Sequence, residues 1–218
     1  MEHLFNLEKL NSFLLSQSIN LSGYQLDQLR KYQELLKAWS VKQNLVSKND
    51  LSHVVERHFL PSTYLSHCLP DLIDGKLLDV GSGAGFPGVI LKILRPELSL
   101  TLLDSSQKKI LFLEEVCEQL SLDCPTICQR SEEFIPSERD KYLIVISRAV
   151  AGLDFLWKIS GHLVQTGGCL YAMKGGDYQH EIAELCIENL NIDIITPGED
   201  WLGISNYLNH KCIVKLER

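Results

Sequence analysis

The 218-residue sequence predicts an α/β fold, a parallel sheet covered by helices on both faces, with a helical extension in front of it. Three observations carry that prediction. From Lys76 onward, short apolar β-rich runs alternate with stretches of helical periodicity, the pattern of strand and crossover helix in turn. A Gly-rich turn, GSGAGFPG, follows the first of these runs and feeds a helical stretch. The first seventy or so residues, by contrast, read as helices alone.

In chain order, Leu4, Leu7, Leu10 and Leu14 recur at helical spacing. A second helix opens at Ser22, where Gln25 three positions on completes a capping box, and it carries Leu26, Leu29, Tyr32, Leu36 and Trp39 on one face. The polar stretch AWSVKQNLVSKND reads as an exposed loop. A third helical segment, from about Asn49 to Leu60, turns Val54, Val55 and Phe59 inward and ends before Pro61. The runs KLLDV, LSLTLLD, TICQ, YLIVIS and CLYAMK are candidate strands, and Lys108 to Leu120 and Leu153 to Leu163 are helical between them. Continuous apolar runs of this kind suit a sheet buried on both faces. NIDIITPG and HKCIVKLE, with no helix expected between them, should pair antiparallel as an edge hairpin. The expected division is a helical extension over residues 1–72 and a catalytic domain over 73–218.

Composition narrows the class. With 45% hydrophobic and 22% charged residues and a mean hydropathy of −0.01, the chain reads as soluble and globular. No apolar run approaches the roughly 20 residues of a membrane span. Glu2 and Glu8 stand where a signal peptide would be basic, so the expected location is the cytoplasm. The seven cysteines are odd in number and form no C-x-x-C pair, which points to reduced core thiols and no metal site. A net charge of −7 argues against a protein that coats nucleic acid unspecifically, because that binding comes from Lys and Arg at phosphates. A local basic face remains compatible with it.

The Gly-rich turn has two registers. Gly83, Gly85 and Gly88 spell the G-x-G-x-x-G of a dinucleotide loop, whereas Asp79, Gly81, Gly83 and Gly85 spell D-x-G-x-G-x-G. A pyrophosphate at the helix N-terminus would be repelled by Asp79, while a ligand bearing an amino group and a sulfonium, as S-adenosylmethionine does, would be attracted. Asp104 closes the second strand, where an acid can hydrogen-bond ribose hydroxyls of either cofactor, and so does not discriminate. Strand, acid, glycines, helix and second acid together favour the methyl donor, with NAD as the lesser alternative.

The plan resembles Rossmann-like S-adenosylmethionine-dependent methyltransferases. More narrowly, NLVSKND, VVERHFL, DVGSGAGFPGVILKILRPE, LLDSSQKKILFL, RSEEF, SRAVAGLDFL and MKGG, in that order from about Asn44 to Gly176, resemble the glucose-inhibited division protein B (GidB) family. The resemblance implies methylation of N7 of one guanine in small-subunit (16S) ribosomal RNA. It implies cofactor contacts at Gly81 and Phe86 in the turn, at Ser131 and Glu132 after the third strand and at Arg148 after the fourth, with Asp104 at the ribose position. The chain departs from the family pattern at Trp39-Ser40, at Pro61 and at Leu143, where the family has Asn after the Trp, Asp, and Asp.

Acceptor chemistry can be narrowed without the family. An exocyclic amine calls for an Asn or Asp, Pro-Pro and aromatic loop after the fourth strand, where this chain has Ser147-Arg148-Ala149-Val150. Carbon methylation of a pyrimidine calls for a cysteine nucleophile there, and none is near. Guanine N7 needs neither, since its lone pair is free at neutral pH and catalysis reduces to alignment and exclusion of water, with no general base. Arg148 either pairs with a carboxylate such as Glu132 or positions the reactants. Lys42, Lys48, Arg57, His58, Arg130 and Lys174 are candidates for a basic rim that meets 16S rRNA or the small subunit. Phe86 either stacks on adenine or packs the loop, and Trp201 and Tyr207 read as packing. The expected enzyme is a metal-free monomer. The competing readings are a small-molecule or protein methyltransferase of the same fold, an NAD-dependent oxidoreductase, and a non-catalytic RNA-binding or assembly factor.

Overall fold

The computed structural model describes residues 5–43, 45–71, 75–148, 152–176, 178–185 and 190–217. Three helical pieces come first: α1 (Leu7–Ser16), α2 (Gly23–Lys42) and α3 (Lys48–Ser52). The Ser22–Gln25 capping box is present at the start of α2, and Leu29, Tyr32 and Leu36 are buried on its inner face. Ala38 to Lys42, expected in a loop, belong to this helix, because Leu36 and Trp39 keep its apolar stripe in contact with the core.

The third segment also differs from expectation. A π-helical turn (Val55–Phe59) runs directly into α4 (Leu60–Cys68), and the helix passes through Pro61 instead of stopping before it. Pro61 occupies the first turn of α4, where its missing N–H is tolerated. Val54, Val55 and Phe59 are buried as expected.

The sheet contains β1 (Lys76–Val80), β2 (Ser99–Asp104), β3 (Thr126–Cys128), β4 (Tyr142–Arg148), β5 (Val164–Gly175), β6 (Asn191–Ile195) and β7 (Lys211–Glu217), in the order β3-β2-β1-β4-β5-β7-β6. The first five strands are parallel, and β7 is antiparallel to both β5 and β6. The connecting helices are α5 (Gly88–Leu94), α6 (Gln107–Leu120), α7 (Leu153–Ser160), α8 (Tyr178–Ala183) and α9 (Glu199–Ile204). The pairing of the last two strands agrees with the sequence, but their setting does not. A helix, α9, lies between them, and β7 is inserted beside β5, leaving only β6 at the edge.

Burial follows the pleat. Leu77, Leu102, Ile144 and Ile146 face one hydrophobic cluster while Leu78, Val80, Leu103 and Val145 face the other, as the two-residue period of a strand requires. The first cluster takes in α1, α2, α4, α5 and α6, so the N-terminal helices and one face of the sheet share a single core. The second is closed by Leu153, Leu156 and Trp157 of α7. The expected boundary at 72/73 falls outside the described residues. No helix among the described residues is long and apolar enough to cross a membrane.

Candidate active site

The Gly-rich turn leaves β1 at Val80 and enters α5 at Gly88. Gly81, Gly83 and Gly85 all take positive φ (71°, 59° and 92°), a region that favours glycine. The turn is fixed from both sides. The N–H of Gly83 donates to Asp104 Oδ2 at 2.9 Å, and the N–H of Ser106 donates to Oδ1 at 2.9 Å. From the helical extension, the buried Tyr32 hydroxyl donates to the carbonyl of Ala84.

A crevice of about 360 Å³ opens at the carboxyl ends of β1, β2 and β4, the place where open α/β sheets bind their ligands. Gly81, Asp104, Ser131, Glu132, Arg130 and Arg148 line it, together with Lys109, Gln129, Phe155 and Ile159, which the sequence did not single out. Lys109 stands 3.5 Å from Asp104 Oδ2.

Beside this crevice lies a second cavity of about 440 Å³, at the ends of β5 and the start of β7. Arg148 lines both spaces. The second cavity also receives Lys174 from β5, Glu181 from α8, Lys211 from β7, Tyr207 from the turn before β7, and Pro61 and Tyr64 from α4. Among the described residues of its lining, three cations stand against one carboxylate, a local excess of positive charge in a chain of net charge −7. Burial and the neighbouring Arg148 charge lower the pKa of Lys211. Its ammonium sits 4.8 Å from the centre of the Tyr207 ring. Lys174 Nζ meets Glu181 Oε2 at 2.7 Å, so it belongs to the cavity wall and not to a solvated rim.

Arg148 is held by the carbonyl of Arg57, to which its Nη2 donates at 2.8 Å, and not by Glu132. Pro61 explains the vacancy at that carbonyl. Four residues after Arg57 a helix would normally supply an N–H, and proline has none. The Arg148 Nη1 is buried without a hydrogen-bond partner among the described residues, and burial lowers the pKa of the guanidinium. Tyr207 faces it. Ala149 and Val150 of the expected SRAVA segment lie outside the described residues.

Several expected site residues sit elsewhere. Asp79 is 0% exposed and does not line the crevice; its Oδ2 accepts the N–H of Gly88 at 3.0 Å, capping α5. Desolvation raises its pKa to about 7, against the lowering from the Gly88 bond. Its part in the turn is therefore structural, in place of the direct attraction the spacing suggested. Phe86 is 6% exposed and packs among Tyr32, His58 and Phe59, at 4.6 to 5.9 Å between ring centres, so its ring packs the loop. A Cβ at Gly85 would come within 2.6 Å of both the Tyr32 hydroxyl and Val89, which makes it a packing glycine. His58 lies against Phe86, and desolvation followed by the Arg148 charge lowers its pKa to about 3, leaving a neutral ring unsuited to phosphate. Arg57 turns its guanidinium to Asp50 at 2.7 Å. Lys42 and Lys48 are exposed on the helical extension, and Arg130 is exposed at the crevice mouth. Trp201 is buried against Phe13 and Tyr64, as expected of packing, whereas Tyr207 reaches the second cavity. Among the described residues no cluster of three or more His, Cys, Asp or Glu could hold a metal ion.

The sheet order, the Gly-rich turn over a carboxyl-end crevice and the acid at the end of β2 define a Rossmann-like methyltransferase fold. Solved structures share it: a putative caffeoyl-CoA O-methyltransferase from Staphylococcus aureus superposes with a TM-score of 0.58 at 12% identity, over 98% of this chain and 100% of its own. An MtNAS mutant in complex with S-adenosylmethionine gives 0.56 at 10% identity, over 97% and 77%. The sequence profile of GidB, described as rRNA small subunit methyltransferase G, matches residues 25–193, and the chain belongs to that family. Relatives named ribosomal RNA small subunit methyltransferase G include one from Acetivibrio thermocellus, 42% identical over 72% of this chain and 66% of its own length. Others come from Alkaliphilus oremlandii, 36% identical over 91% and 85%, and Escherichia fergusonii, 40% identical over 82% and 84%.

Proposed function

We propose that this protein transfers a methyl group from S-adenosylmethionine to N7 of one guanine in 16S rRNA, acting in the cytoplasm as a monomer on the RNA or the small subunit. The observation that carries the reading is the pair of adjoining cavities with Arg148 in their common wall. Family membership weighs against the oxidoreductase and the small-molecule methyltransferase.

The crevice suits the methyl donor. Asp104 offers a carboxylate at the ribose position, the Gly81 backbone allows close approach, Ser131 and Gln129 add polar contacts, and Phe155 with Ile159 gives an apolar wall for an adenine. When bound there, S-adenosylmethionine supplies an electrophilic methyl on a sulfonium. The chain's own residues then have the work of placement. Arg148, fixed through Arg57, orders the wall between donor and acceptor, and the neighbouring cavity holds the base with its N7 toward that wall. Among the described residues no histidine lines the acceptor cavity.

The test is tritium transfer to rRNA from cells lacking the activity, followed by mapping. Borohydride reduction and aniline should break the product at one guanine, because N7 methylation leaves a labile cationic ring. Single-turnover rates should be nearly flat from about pH 6.5 to 8.5, whereas proton abstraction would give a limb of about tenfold per pH unit. Methylated RNA that resists cleavage, or a rate rising with hydroxide, would assign the methyl to another atom.

A further inference from the structure

The acceptor cavity has an ordered arrangement of donors and acceptors. Arg148 stands on the wall shared with the crevice, and its Nη1 has no partner among the described residues. Glu181 lines the acceptor cavity and not the crevice, and among the described residues it is the only acid in that lining. Lys174 and the N–H of Leu153 both bond its Oε2, at 2.7 and 3.1 Å. Oε1 is engaged by none of the described residues.

A guanine matches this order. Its N7 and O6 are acceptors on one edge, and N1–H and N2–H₂ are donors on the next. With N7 toward the shared wall, O6 comes beside Nη1, the guanidinium nitrogen that lacks a partner among the described residues. The N1–H and N2–H₂ edge then points to the part of the cavity that the crevice does not reach, where the carboxylate is. Adenine would fail twice, presenting an amine to Arg148 and a bare N1 to Glu181. Unpaired polar groups of that kind are what give a hydrogen-bonding site its power to reject an analogue.

We propose that Glu181 is the residue that selects guanine, with Oε1 accepting from the N1–H and N2–H₂ edge while Arg148 donates to O6. The proposal rests on the cavity being the acceptor site of the methyl transfer described above. A second consequence follows from charge. Methylation of N7 makes the purine cationic and its N1–H more acidic, so the bond to Glu181 strengthens as the methyl arrives. Interactions that grow toward the transition state raise the rate of the step itself.

Two measurements on the full chain test this. Single-turnover transfer to 16S rRNA should fall about five- to a hundredfold in Glu181→Gln, the range for one lost base-edge pairing, with S-adenosylhomocysteine affinity unchanged. With S-adenosylhomocysteine saturating, wild-type protein should bind GMP more tightly than IMP, which lacks the N2 amine, and IMP more tightly than AMP. Glu181→Gln should level GMP and IMP. A variant that transfers at the wild-type rate overturns the proposal. So does a slowed variant that keeps the GMP-over-IMP preference, which would assign Glu181 to supporting Lys174 and α7, and so does a wild type indifferent among the three nucleotides. Wild-type protein that prefers GMP yet leaves rRNA unmethylated would instead overturn the reaction assigned to the site.

Discussion

At the scale of single residues, neighbouring glycines of one turn have different duties. A Cβ at Gly83 would meet nothing closer than the Gly81 carbonyl at 3.7 Å, whereas one at Gly85 would strike Tyr32 and Val89. Gly83→Arg puts a side chain on positive-φ backbone, a strain of about 1–2 kcal/mol, but meets no clash, so it should leave a folded protein that no longer binds S-adenosylhomocysteine by calorimetry. Gly85→Ala should lose stability by about 1–3 kcal/mol through overpacking, read as a lowered thermal midpoint. Two buried titratable groups set opposing pH dependences. His58 takes a proton near pH 6.5 when unfolded and near 3 when folded, so the unfolded chain binds more protons between those values and stability falls as pH drops through them. Asp79 keeps its proton to about pH 7 in the fold but releases it near 3.8 unfolded, so its contribution is lost as pH rises through that window. Asp79→Asn should thus gain thermal stability relative to wild type as pH goes from about 5 to 8, by at most about 3 kcal/mol. A difference that shrinks with rising pH would mean that the Gly88 bond outweighs burial.

At the scale of elements, the π-helical turn and Pro61 decide where Arg148 goes. Restoring an N–H with Pro61→Ala lets the helix compete for the Arg57 carbonyl. The expected result is slower methyl transfer at saturating cofactor with little change in the thermal midpoint and no shift in the pH profile. An unchanged rate would show that the Arg57 contact does not position Arg148. Little of this was legible in the sequence. The first five strands, the capping box, the Gly-rich turn and the acid at the end of β2 announce themselves by local pattern, and each lies where the pattern put it. The acceptor cavity does not, because Glu181, Tyr207 and Lys211 come from distant segments and meet only when β7 enters beside β5. The settings of Phe86 and His58 were hidden for a related reason. Their motifs point to a site, but only the packing of α2 and α4 over the turn shows that both rings face the core.

At the scale of the molecule, the helical extension is a wall of the core and not an appended module. Tyr32, Phe59 and Phe86 join it to the turn, so calorimetry should show one cooperative transition, and a separate early transition for the extension would contradict the shared core. Lys42 and Lys48, exposed on the extension, are candidates for contact with the RNA. Lys42→Glu with Lys48→Glu should weaken rRNA binding and flatten its salt dependence by about two units of slope, leaving S-adenosylhomocysteine affinity unaltered. If affinity and slope both stay at wild-type values, that face does not touch the RNA.

The strand order also has a consequence for manufacture. Ribosomes release β6 before β7, yet β6 is paired only with β7, and β7 is what joins it to β5. The nascent chain must therefore hold β6 in waiting, with its backbone N–H and C=O groups unpaired, until the later strand slides in between. Lys211 and the turn bearing Tyr207 arrive with that same strand, so the second cavity is completed only after the crevice at β1, β2 and β4. A growing chain can have a finished cofactor crevice while still being unable to hold a base.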